Sequence, residues 1–160
     1  MTYDIKQYWD LSDDDLRQLY DQALKDELLD RVAYDAKLNR SLFPLFARRA
    51  ECFCGLRAGG RWNGFFYLSR FEGATARLHL ALPGSAVPAA AVRQVLDWCF
   101  ETFEFKSLFI VAPAGDAQAA ALWPALGAER LADIPGLCWL ENRKKNVPGR
   151  LFVMRPTACN

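Results

Sequence analysis

Histidine is almost missing from this sequence: His79 is the only one. A metal centre would therefore rest on cysteine and carboxylate. Cys52-Phe53-Cys54 is a C-x-C pair with no second pair at zinc-site spacing, so no metal is expected. Five cysteines (Cys52, Cys54, Cys99, Cys138 and Cys159) are an odd count that does not read as a disulfide framework. They read as small buried hydrophobes in a reducing compartment. No apolar run approaches the ~18 residues of a membrane span. The opening Met1-Thr2-Tyr3-Asp4-Ile5-Lys6 shows no basic cluster ahead of an apolar stretch, so no secretory leader is expected. Nor is one charge sign in excess: 20 basic and 19 acidic side chains leave +1, which argues against a dedicated nucleic-acid binder. These absences predict a cytoplasmic protein.

What is present is a core. With 160 residues, 52% of them hydrophobic, the chain suits one domain over 1–160, with a helical part over 1–45 and a sheet core over 51–156. Charge is uneven: residues 1–40 hold ten acids and six bases, whereas 141–160 hold Glu141 against five bases that include Arg143-Lys144-Lys145. Two solvated surfaces explain this pattern most simply.

Ser12-Asp13-Asp14-Asp15 reads as a capped helix start, and Leu16, Leu19, Tyr20, Ala23, Leu24 and Leu28 then recur on one helical face. A second helix is expected over 30–39, ending near Pro44. Residues 52–56, 64–71 and 75–82 are strand-like runs broken at Gly59-Gly60 and Glu72-Gly73; breaks this short join antiparallel neighbours. Pro88 suits a first helical turn, and Val92, Val95, Leu96, Cys99, Phe100 and Phe103 form a helix stripe. A short apolar strand follows over 108–111, then an alanine-rich helix over 117–126 stopped by Gly127. Strands are expected over 129–134 and 137–140, the two joined by a Pro135-Gly136 turn, and again over 151–154. The fold class is α+β, sandwich-like, with a mixed and mainly antiparallel sheet flanked by helices.

This order, over about 51–155, resembles the GNAT superfamily of acyl-CoA-dependent N-acetyltransferases. Residues 64–82 look like that family's hairpin of third and fourth strands, and 88–103 look like the helix after its cofactor loop. Asp116, Ala119, Trp123, Leu126 and Gly127 fall where the family often carries Asn, Ala, Tyr, Leu and Gly. The resemblance implies an acyltransferase that uses acetyl-CoA or another acyl-CoA as co-substrate and acts on an amine. The alternative it leaves is a catalytically inactive protein of the same fold, serving as a binding or assembly component. A second copy of the chain is a further candidate partner.

The resemblance also places the site. Pantetheine would run along the fourth strand, and pyrophosphate would sit on the amides of the next loop and helix start, the general place for an anion. The residues so implicated are Leu80, Ala81, Leu82, Gly84, Ser85, Ala86, Val87, Ala89 and Ala90. The family's loop pattern is Gln or Arg, two residues, Gly, one residue, then Gly or Ala. Here Val87, Ala90 and Val92 occupy those positions, so the loop is eroded. Where the family often has an acidic tyrosine stands Trp123, whose indole N–H only donates. His79 titrates in the range of a general base and is the candidate catalytic residue. Strand alternation sets Thr75, Arg77 and Ala81 on its face. Its competing reading is a hydrogen-bonded structural histidine. Glu51 and Glu72 are weaker bases at strand ends, and Glu101 and Glu104 read as the wet side of a helix.

Overall fold

The computed structural model describes residues 2–32, 38–83, 87–141 and 143–157. Seven strands form one sheet: β1 (Asp4–Gln7), β2 (Cys52–Ala58), β3 (Arg61–Glu72), β4 (Thr75–Ala81), β5 (Ser107–Pro113), β6 (Glu129–Leu140) and β7 (Lys145–Met154). Their order is β1-β2-β3-β4-β5-β7-β6. Every neighbouring pair is antiparallel except β4 and β5. That parallel return is made by the helix α4 (Ala89–Phe103), as a strand-to-strand crossover requires. The expected meander, the helix after Pro88 and the short apolar strand that follows it are all present.

Both faces of the central strands are covered, which explains why β3 reads Phe65-Phe66-Tyr67-Leu68 with no polar alternation. Phe66 and Leu68 face α4 and α5 (Ala117–Ala125), packing with Leu78, Val95, Leu96, Leu108 and Phe152. Phe65 and Tyr67 face α1 (Asp13–Lys25), α2 (Leu29–Val32) and α3 (Phe43–Arg49), packing with Leu16, Leu19, Tyr20 and Phe43. Phe43 is fully buried, with the rings of Tyr20, Phe53 and Phe65 at 5.5, 5.6 and 5.4 Å.

Helix α1 starts as the sequence indicates. The Asp15 amide donates to Ser12 Oγ (3.1 Å) and the Ser12 amide donates to Asp15 Oδ2 (2.9 Å), a reciprocal cap. Trp62 Nε1 donates to the other Asp15 oxygen at 2.9 Å and ties the cap to β3. At Gly64 the backbone has φ +128, and a Cβ there would lie 2.2 Å from the Ala81 carbonyl oxygen. Only glycine lets β3 pass β4 this closely.

Four expectations change. The N-terminal part is not purely helical, because β1 pairs with β2 at the sheet edge. Just ahead of it, the Gln94 side chain accepts from the Tyr3 amide (2.8 Å) and donates to the Tyr3 carbonyl (2.7 Å). The second helix is seen as α2 up to Val32; 33–37 lie outside the described residues, and Leu38 and Asn39 are outside any helix. Pro44 does not close a helix; it sits in the first turn of α3, where its missing N–H has no intrahelical partner to lose. Pro135-Gly136 does not end a strand either. β6 runs through it with two irregularities in register, between Arg130 and Ala132 and between Ile134 and Cys138. No described helix is long and apolar enough to cross a membrane.

Candidate functional site

Strands β4 and β5 begin as partners and then separate. Their ladder runs from Thr75–Ser107 to Leu78–Ile110 and stops there, although β4 continues to Ala81 and β5 to Pro113. Their outer neighbours do not part: Ala81 still pairs with Phe65 on β3, and Val111, Ala112 and Pro113 still pair with β7. The separation is thus held open by two intact ladders. It exposes strand-edge amides and carbonyls to the gap, and a polar or peptide-like chain entering there would meet ready hydrogen-bond partners.

A cavity of about 70 Å³ lies at this gap. Leu80 from β4, Leu82 just past its end, Ala112 from β5, Val87 from the approach to α4, and Ala119 and Trp123 from α5 supply its apolar walls. The titratable groups on its lining are His79 and Asp116. Asp116 caps α5, its Oδ1 accepting from the Ala119 amide at 3.0 Å, and so fixes the start of the helix that carries Trp123. Trp123 is 5% exposed, and its indole N–H can only donate a hydrogen bond.

His79 is 2% exposed and held from several directions. Nδ1 lies 2.8 Å from the Val32 carbonyl oxygen at the end of α2, and Nε2 lies 2.8 Å from Ser69 Oγ. A carbonyl only accepts, so Nδ1 carries the proton. In the neutral ring Nε2 then accepts from the Ser69 hydroxyl. The ring stacks on Tyr67 at 4.1 Å and 8°, and the Tyr67 hydroxyl donates to the same Val32 oxygen at 2.7 Å. The basic nitrogen is therefore Nε2. The histidine both lines the cavity and anchors α2 to the sheet.

The other sequence candidates divide. Leu80 and Ala81 stand along the diverging part of β4 and Leu82 follows it, with Ala81 and Leu82 buried. Val87 is half-buried at the cavity wall, while Ala89 and Ala90 are exposed in the first turn of α4, at the positive end of its dipole. Gly84, Ser85 and Ala86 lie outside the described residues. Glu51 is not in the cavity; its Oε2 accepts from the Phe71 amide at 3.0 Å. Glu72 and Glu101 are exposed away from it, and Glu104 ends α4 in the left-handed region.

Cys52, Cys54, Cys99 and Cys138 are buried. Cys52 and Cys54 bring their sulfurs within 3.9 Å on one side of β2. The contact with Cys52, followed by burial, pushes the Cys54 thiol well above its usual range; burial does the same to Cys99. No group among the described residues is arranged to hold a metal ion.

Sequence reasoning missed Ser69, Tyr67 and Val32 as partners of His79. Strand alternation gave a usable signal for two of them. Once the Glu72-Gly73 turn fixes the hairpin, Tyr67 and Ser69 fall on the His79 face across from it. The contact with Val32 spans 47 residues and leaves no local trace.

No family model matches the sequence, and no curated relative matches it. Solved structures do match its shape. Spermidine N-acetyltransferase from Vibrio cholerae, in complex with CoA and spermine, aligns at TM-score 0.76 and 12% identity over 96% of this chain and 95% of that one. The ribosomal-protein-alanine N-acetyltransferase of Brucella melitensis aligns at 0.70 and 12% over 95% and 99%. The Salmonella typhimurium protein yncA, solved with its cofactor acetyl-CoA, aligns at 0.68 and 11% over 98% and 99%. With its meander, crossover helix and divergent parallel strands, the chain has the fold of the GNAT acetyltransferases.

Proposed function

We propose that the protein is an acyl-CoA-dependent N-acyltransferase that acts on an amine. The observation that carries this reading is the parting of β4 from β5 after Leu78 and Ile110, beside an apolar cavity and the start of α4. An acyl-pantetheine arm would pair with the strand edge at Leu80 to Leu82. Its phosphates would lie toward Val87, Ala89 and Ala90, where the helix dipole favours anions.

The amine nitrogen attacks the thioester carbon, the C–S bond breaks, and one proton must move from nitrogen to sulfur. His79 is the group for that transfer. Its Nε2 is reached through the Ser69 hydroxyl: Ser69 Oγ would take the proton from the amine as it passes its own to Nε2, and the imidazolium so formed can return one by the same route to the departing thiolate. Val32 would stabilise that cation through its carbonyl, and Tyr67 through its ring face. Trp123 can orient an acyl oxygen by donating a hydrogen bond but cannot supply the proton.

Thermal melting with acetyl-CoA tests this. At about 100 times Kd the ligand adds ~2.7 kcal/mol. For a chain of this size that is a rise of roughly 5–10 °C in Tm. No rise at millimolar acetyl-CoA would remove the cofactor from the reading. Trp123 favours a second reading, a protein of this fold that binds without transfer. Stabilisation by acetyl-CoA with no product from a panel of amines would select it.

A further inference from the structure

At the far end of β4 from the gap, the sheet carries a second concavity, about 210 Å³, lined by Arg70, Glu72, Thr75, Arg77, Phe109 and Leu151. Arg77 and Phe109 are direct partners across the β4–β5 ladder, and Leu151 is on β7 next to them. They lie on the face that α1, α2 and α3 cover elsewhere, and Phe109 and Leu151 are only half-buried. The floor is thus a stretch of apolar sheet with open space above it.

Two guanidiniums reach this floor. Arg77 is half-buried, and Arg70 projects from the irregular stretch between Ser69 and Glu72, where its own backbone has φ +53. A break in register of this kind re-aims a side chain. Neither guanidinium makes an ion pair or hydrogen bond among the described residues. Six other arginines are paired. Arg17, Arg40, Arg48, Arg130, Arg150 and Arg155 each pair with a carboxylate. Glu72 stands in the same groove, yet it pairs with neither arginine. A guanidinium part-way out of water beside an aromatic floor favours a planar anion, which it can meet with two parallel N–H donors.

We propose that this groove is a binding site for a small molecule that carries a carboxylate or phosphate on a planar apolar body. The anion lies between Arg70 and Arg77, and the apolar body rests on Phe109 and Leu151. Glu72 limits the charge the groove accepts, because a second negative group would lie against its carboxylate. The site is independent of the acyltransferase reading, since none of its residues lines the cavity at the β4–β5 gap.

Benzoate and phenyl phosphate are suitable probes, with benzyl alcohol as the neutral control, titrated into the full chain while backbone amide resonances are followed. Benzoate or phenyl phosphate should shift the amides of Arg77 and Phe109 at millimolar concentration, more weakly as salt rises, and benzyl alcohol should not. Whichever of the two binds more tightly identifies the anion. Arg77→Gln should weaken binding by about tenfold or more, as expected for a lost charged hydrogen bond. Glu72→Gln, on an exposed side chain, should tighten it by roughly two- to fivefold through relief of repulsion. Two results would overturn the proposal: no shift with either anion at tens of millimolar, or binding that Arg77→Gln and Arg70→Gln both leave unchanged.

Discussion

Replacing Gly64 by alanine tests whether the close approach of β3 to β4 is as tight as it looks. The added Cβ would lie 2.2 Å from the Ala81 carbonyl oxygen and 3.2 Å from a Leu82 methyl, at a backbone φ of +128. Two costs combine. A non-glycine residue forced into such a conformation costs ~1–3 kcal/mol. Overpacking against a backbone atom that is itself held in a ladder costs ~1–3 kcal/mol more. The sum, about 2–6 kcal/mol, corresponds to a fall in Tm of roughly 5–20 °C for a chain of this length. Gly59→Ala is the matched control. Gly59 also has positive φ, at +56, but a Cβ there meets nothing within 4 Å, so only the conformational cost applies. Thermal and urea unfolding of both variants isolates the steric part as their difference. Equal melting temperatures for the two would refute the reasoning, because then β4 yields without cost. A large Gly64→Ala effect carries a second expectation. Ala81 borders the gap, so any shift of β4 should weaken acetyl-CoA stabilisation beyond the loss of stability itself.

His79→Gln should lower turnover per folded molecule by ~10²–10⁴ and remove one limb of the pH–rate profile; a fall in Tm with an unchanged profile would make His79 a strut only. The Arg150 guanidinium, hydrogen-bonded to Asp133 at 3.0 Å, holds that carboxyl below its ordinary range. A depressed folded pKa stabilises the fold above the unfolded value, ~3.9, and ceases to as pH falls through the folded one. Asp133→Asn should accordingly cost stability at neutral pH and progressively less in acid; a Tm difference between the two proteins that stays constant from neutral pH down through pH ~3 would contradict this. Thiol reagents should label Cys54 and Cys99 of the native protein no faster than global unfolding permits, since both thiols are buried and held protonated. Rapid labelling of Cys99 in mass spectra would show that the core opens locally.

The elements legible in the sequence were those whose signals are local. Ser12 with three acids marked α1, and short glycine-containing breaks marked the hairpins of β2, β3 and β4. The parallel return to β5 followed from the helix between them. Pro44 misled because proline disfavours helix before it and favours helix after it; which applied depended on Phe43 finding Tyr20, Phe53 and Phe65. β1 was invisible because four half-polar residues become a strand only when β2 offers an edge. At the site, alternation groups His79 with Arg77 and Ala81 on one face of β4. Its tautomer depends on Val32, which no spacing rule brings near. Trp123 and the altered residues at Val87, Ala90 and Val92 were readable directly, because substitutions at expected positions need no tertiary information.

The treatment of the two outer strands has a consequence for how the protein behaves when concentrated. An open sheet ends in rows of unpaired amides and carbonyls that will accept a strand from any passing chain. On one side the Gln94 carboxamide occupies the donor and acceptor of Tyr3, imitating the residue of a strand that is not there. On the other, β6 breaks its own regularity twice and carries Pro135, which lacks a donor. Each end thus carries a local obstacle to strand addition, by different chemistry. Gln94→Ala leaves the hydrophobic core intact and unlocks one of them. That variant should form fibrillar or amorphous aggregates sooner than its parent at equal folded stability.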